Sequence, residues 1–177
     1  MLNLPSIREL LIILPGLLIA LSFHEYAHAR VADYLGDDTP YYQGRLTLNP
    51  LAHIDWLGFF MLLLVKFGWA RPVQVNPLNF KGVDMRRGMM LVSLAGPGGN
   101  FLLAIATAIV MKIVYAMPQT ESTYIALTLL QPLLLYNVVL GIFNLIPVPP
   151  LDGSKILAGI LPDSQAVVLD NLERYGP

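Results

Sequence analysis

Cysteine is absent from this chain of 177 residues. That excludes a disulfide framework and a thiolate metal site, leaving histidine and carboxylate as the strong ligands available; the compartment cannot be read from redox chemistry. Charge is also scarce, at 13% of residues against about one quarter in ordinary soluble domains. With 55% hydrophobic residues and a mean hydropathy of +0.60, the composition is that of a membrane protein, expected to form a single domain over 1–177. A basic excess is missing too. The formal net charge is -1, so no nucleic-acid partner is implied. There is no internal repeat and no low-complexity tract. The apolar N-terminal run has a signal peptide's length but lacks a small-residue cleavage site, so it is expected to be retained.

Among the few polar groups, His24-Glu25-Tyr26-Ala27-His28 forms an H-E-x-x-H pattern inside the apolar stretch LLIILPGLLIALSFHEYAHARVA. A helix turns about 100° per residue, so His24 and His28 lie within about 40° of each other on one face, with Glu25 beside them. Two imidazoles can then grip one ion. Neutral imidazole suits Zn²⁺, a catalytic zinc keeps a position open for water, and the neighbouring carboxylate can take that water's proton. On a soluble helix so short a pattern arises readily by chance. Inside an apolar segment, three unpaired polar side chains are costly and mark function. The placement points to a zinc peptidase working within a membrane.

A span needs about 20 apolar residues to cross a core of roughly 30 Å. Residues 10–31, 88–111 and 122–151 qualify, and the last two carry no charge. A fourth run, 56–65, has about half the required length and reads as re-entrant or interfacial. Between the spans, turn residues surround the alternating Arg45-Leu46-Thr47-Leu48, which suggests a hairpin, and Val73 and Val75 alternate between prolines as a second extended segment. Asp37 and Asp38 read as part of a solvated turn, and residues 164–174 as a helix. The expected fold is therefore an all-α integral membrane protein: about three full transmembrane helices, a re-entrant or interfacial segment and short extended strands.

A catalytic zinc ordinarily has three protein ligands. Asp33 lies about 180° around the helix from His24 and cannot join the pair. His53 and Asp55 adjoin a loop, where capping and turn hydrogen bonds explain them. Asp152 ends the run FNLIPVPPLDG, in which Pro147, Pro149 and Pro150 forbid helix and force extended backbone near membrane depth. Such backbone is tolerated only where it is buried in protein or lines a polar cavity. Local physics leaves two readings of Asp152 equally open, a metal ligand and an interfacial turn. Topology bears on the choice. For Asp152 to meet the histidines, one full crossing must intervene, with 56–65 not spanning. Arg30, Arg45, Lys66, Arg71, Lys81, Arg86, Arg87, Lys155 and Arg174 then share one side, opposite only Arg8 and Lys112. By the positive-inside rule that side is cytoplasmic, with the N-terminus outside.

Taken together, HEYAHA at 24–29, GRLTLNPLAHIDWLG at 44–58, WARPVQVNP at 69–77, AGPGGN at 95–100 and FNLIPVPPLDG at 143–153 give a chain that resembles the site-2 proteases, intramembrane zinc metalloproteases, in the order and spacing of the short bacterial and archaeal members without a PDZ domain. The resemblance covers most of the chain. It implies that His24, His28 and Asp152 bind one Zn²⁺ per chain, that Glu25 activates water, and that the substrate is a transmembrane protein cut within or near the bilayer of a prokaryotic cell membrane. Relatives often continue into a closing hydrophobic segment, so a longer native chain is expected. Asn144 has two equal readings, hydrogen bonding to substrate and tying helices together. Asn100 reads first as a packing residue and second as catalytic. His53 and Asp55 read first as loop structure and second as a pair orienting a ligand or substrate. Arg71 reads as an interfacial anchor. The segments near 45–48 and 73–75 offer a pairing edge for an extended substrate. Rival functions are a membrane metal transporter, which needs a polar route through the bilayer, and a non-catalytic scaffold, which would lack part of the constellation. Oligomeric state, substrate identity and regulator have no signature here.

Overall fold

A computed structural model describes residues 6–65, 68, 70–162 and 165. The element order is α1 (Ile7–Tyr34), α2 (Thr39–Tyr42), α3 (Trp56–Val65), α4 (Met85–Ala116), α5 (Glu121–Asn144) and α6 (Asp152–Ile160), with single 3-10 turns at Pro50–Ala52 and Pro77–Asn79. The three longest helices have 28, 32 and 24 residues. At about 1.5 Å per residue each is long enough for a core of roughly 30 Å, and all three are apolar enough to cross a membrane. Their starts are sealed chemically: Ser6 with Glu9 and Thr120 with Thr123 form capping boxes, and the Asp84 carboxylate accepts from Arg87 N. These contacts satisfy backbone donors that a helix leaves unpaired.

α1, α4 and α5 pack against one another, and α6 packs against α4. Close approach is set by small residues. A β-carbon at Gly16 would overlap the α5 backbone at Leu133, and one at Gly96 would overlap the His24 and His28 imidazoles. Burial is inverted relative to a soluble bundle. Leu102, Ile105, Ile109 and Ile113 on α4, and Ile125, Leu129 and Val139 on α5, are exposed, whereas His24, Glu25, His28, Ser93, Asn100, Thr107 and Asn137 are buried. Lipid is as apolar as leucine, so such a bundle coheres through close packing and interhelical hydrogen bonds.

α3 spans ten residues, too short to cross and in keeping with the re-entrant or interfacial expectation. The expected third span is shorter than residues 122–151: α5 ends at Asn144, and the chain turns through the prolines to α6. Among the described residues, the expected short strands reduce to one isolated bridge, Ile54 with Ala70. Donors in the expected strands are committed elsewhere: Arg45 N to Pro40 O and Val73 N to Glu25, with the adjoining Asn76 N held by Asp37. Nor is Asp37 solvated. It is fully buried, and its carboxylate accepts from Thr39 N, Thr39 Oγ1, Asn76 N and Asn79 Nδ2. It thereby ties the end of α1 to the 76–79 segment. Burial pushes its carboxyl up, but these hydrogen bonds, led by that from the Thr39 hydroxyl, outweigh it and hold the group below its ordinary value. The helix expected at 164–174 lies outside the described residues apart from residue 165.

Candidate metal centre and active site

α1 carries His24 and His28 one turn apart on its buried face, and the first residue of α6 is Asp152. The proline-rich turn returns the chain to α1, placing Asp152 Oδ2 at 3.2 Å from each Nε2. The two Nε2 atoms are 3.0 Å apart. Asp152 Oδ2 is buried with no hydrogen-bond partner. Tetrahedral coordination with bonds of about 2.0–2.1 Å has ligand-to-ligand edges of about 3.3 Å, close to this triangle.

Hydrogen-bond direction decides what the imidazoles present. The Val92 carbonyl can only accept, so His28 donates through Nδ1–H at 2.7 Å. Asn100 Nδ2 donates to Ala20 O and to Asn137 Oδ1, which leaves Asn100 Oδ1 to accept from His24 Nδ1–H at 2.7 Å. Asn137 Nδ2 donates in turn to Leu133 O. In their neutral form, the form that binds a metal, both rings therefore turn a bare Nε2 lone pair toward the other and toward a carboxylate oxygen. Three acceptors at such separations repel unless a cation lies among them, so the donor set fits a zinc ion. Gly96 admits α4 to this spot.

Glu25, the next residue along α1, accepts at Oε2 from Val73 N at 3.0 Å. Asn144 lines the same cleft of about 230 Å³ as His24, Glu25, His28 and Asp152, while its Nδ2 donates to Leu140 O. That bond lies within α5 and ties no second helix, while the side chain has a place in the cleft. Asn100, expected first to serve packing, also orients His24. His53 and Asp55 stand apart from the metal cluster. Asp55 accepts from Gly58 N at the start of α3, and buried His53 donates to Thr47 O, contacts of the kind the loop reading calls for. Asp33 pairs with Arg30. Sequence reasoning missed Asn137, whose signal was an amide in an uncharged span, and the Val73 N–H and Val92 carbonyl, which as backbone groups carry no residue-type signal.

Comparison with known proteins bears on the same residues. The model for peptidase family M50 matches residues 110–171, a stretch that includes Asn144 and Asp152. The Bacillus subtilis (strain 168) protein named "Putative zinc metalloprotease YwhC" is 39% identical over 163 residues, covering 90% of this chain and 74% of the relative. The chain belongs to peptidase family M50, the site-2 proteases. "Putative zinc metalloprotease Rip2" of Mycolicibacterium smegmatis is 31% identical over 146 residues and that of Mycobacterium tuberculosis H37Rv 32% over 153. The alignments cover 54% and 55% of those proteins, so the chain spans about half their length. No solved structure matches significantly. As an M50 peptidase with three helices able to cross a membrane, the protein is a membrane-embedded zinc metalloprotease, and the comparisons favour neither a transporter nor a scaffold.

Proposed function

We propose that His24, His28 and Asp152 hold one Zn²⁺ and that Glu25 is the general base in hydrolysing peptide bonds of transmembrane substrates, with the site opening toward the cytoplasm. The observation that carries this is the convergence of two oriented Nε2 lone pairs and an unpartnered carboxylate oxygen beside Glu25. A zinc ion there would supply Lewis acidity, polarising the scissile carbonyl and lowering the pKa of a bound water toward about 7.

The chain's own groups account for the remaining work. The Val73 N–H holds Glu25 Oε2, leaving the other carboxylate oxygen to take a proton from the attacking water and deliver it to the departing amine nitrogen. Asn144, with one amide hydrogen used on Leu140, has a second to offer a substrate carbonyl. A substrate must enter unwound, because a helix engages its own carbonyls. Nine of eleven Lys/Arg residues fall on the side of the site under this topology, which supports the cytoplasmic orientation.

The test is Glu25→Gln assayed on a panel of single-span substrates with and without chelator, alongside zinc analysis. The variant should keep zinc and lose about 10²–10⁴-fold in turnover. Near-normal turnover in a clean preparation would remove Glu25 from the mechanism.

A further inference from the structure

Beside the metal cleft lies a second cavity of about 290 Å³, lined by Gln43, Arg45, Arg71, Pro72 and Gln74. Pro72 also lines the metal cleft, so the two cavities share a wall one residue thick. Arg45 is buried. Its guanidinium donates to the carbonyls of Ala52 and Arg71, and among the described residues neither arginine has a carboxylate within ion-pair distance. Burial, and then the neighbouring Arg71 charge, push Arg45 below its ordinary value against the opposing pull of the Glu25 carboxylate. Gln43 and Gln74 hydrogen-bond to each other across the cavity. A buried cation such as Arg45 is ordinarily paired, and Arg71 beside it is exposed. Two guanidiniums offering forked donors form a site suited to a carboxylate.

We infer that the Arg45–Arg71 cavity is a specificity subsite that receives an acidic side chain of the substrate close to the scissile bond. The inference rests on the proteolytic reading above. Reach sets the position. The Val73 N–H touches Glu25, and two residues of extended chain cover about 7 Å, so Arg71 lies about that far along the backbone from the catalytic carboxylate. Alternate side chains of an extended peptide repeat at about the same spacing. The acidic residue therefore falls within about three residues of the bond cut. The surroundings favour a peptide carboxylate over a phospholipid headgroup, because the cavity opens beside the cleft that takes the peptide.

The experiment compares kcat/KM for a single-span substrate bearing Asp at successive positions around the cleavage site with the matched Asn series, in neutral phosphatidylcholine bicelles. One Asp position should be cut at least about fivefold faster than its Asn counterpart. That ratio should fall toward one in Arg71→Gln, survive in part in Arg71→Lys, and invert for a Lys substrate in Arg71→Glu. Zinc content reports folding of each variant. Equal Asp and Asn rates at every position, or a ratio untouched by Arg71→Gln, would overturn the subsite. A rate that instead rises with added phosphatidylglycerol for both series, and loses that dependence in Arg71→Gln, would assign the arginines to lipid and equally overturn it. A second arm measures fluorescence anisotropy of the labelled peptides with Glu25→Gln protein. Tighter binding of the Asp peptide, lost on adding Arg71→Gln, supports the subsite even if no peptide is cleaved by the wild type, and equal binding overturns it. Failure of the proteolytic reading shows separately, as identical behaviour of the wild type and Glu25→Gln on every substrate.

Discussion

Replacing Asn100 with alanine should weaken zinc binding although Asn100 is not a proposed ligand. The side chain is fully buried and makes three hydrogen bonds, accepting from His24 Nδ1–H and donating to Ala20 O and Asn137 Oδ1. Loss of the first frees the His24 ring to rotate or to take the other tautomer, which would turn an N–H toward the metal position. Loss of such an outer partner typically costs 10–100-fold in metal affinity, or about 1.4–2.8 kcal/mol at 1.4 kcal/mol per tenfold. The stranded partners also lower stability, by about 1–3 kcal/mol for each group left unsatisfied. Asn100→Asp separates the two effects. It keeps an acceptor for His24 but loses the donors to α1 and α5, so it should retain zinc affinity better than alanine while melting early. The assay is zinc competition against a chromophoric chelator in detergent micelles, with thermal melting of the same samples. Alanine-variant affinity within threefold of the wild type in folded protein, or an aspartate variant no better than alanine, would refute the orienting role.

Asp152→Ala should lower zinc occupancy together with activity, whereas Asp33→Ala, which breaks only the pair with Arg30, should do neither; elemental analysis decides, and full zinc retention without Asp152 would move the third ligand elsewhere. Asp37→Asn should lower stability near neutrality. Because the folded carboxyl sits below its ordinary value of 3.8, its contribution is fully present above that pH and is lost as pH falls through the folded value. The melting gap between wild type and Asp37→Asn should therefore be constant above about pH 5 and shrink on acidification below about pH 4; a gap that widens on acidification would refute this. For topology, single cysteines at exposed Asp38 and Lys81 should both be protected from an impermeant reagent in intact cells, and one at Gln119 should label. Labelling of 38 and 81 from opposite sides would mean that α3 crosses the bilayer.

The legible half of the site was the half written in residue types. His24, Glu25 and His28 follow from helical spacing in an apolar run, whereas the prolines before Asp152 left it open between ligand and turn, and only the resemblance to the site-2 proteases implied it as the third ligand. The loops were read less well, and for one reason. Alternation at 45–48 and 73–75 signals strand only if neighbouring backbone is free to pair, and here a nearby carbonyl, Pro40 O, holds the Arg45 N–H while side chains far away in sequence claim the second segment. Glu25 holds the Val73 N–H and Asp37 holds the Asn76 N–H. Asp37 itself looked solvated because, beside Thr39 in its own turn, the partners that bury it lie 39 and 42 residues on, beyond the reach of any turn pattern.

What residue type could not convey is direction. From Leu133 O the hydrogen bonds run through the Asn137 amide on α5, the Asn100 amide on α4 and the His24 ring on α1. Each amide is oriented by the acceptor at its nitrogen end, so the chain has only one self-consistent sense. That sense places the proton on His24 Nδ1 and bares Nε2. The same bonds hold the three longest helices together where lipid supplies no hydrophobic drive between them. Bundle assembly and the His24 tautomer are therefore set by one network, and a substitution such as Asn137→Leu, remote from the proposed metal position, should register first as looser packing of α5 and then as a misdirected His24.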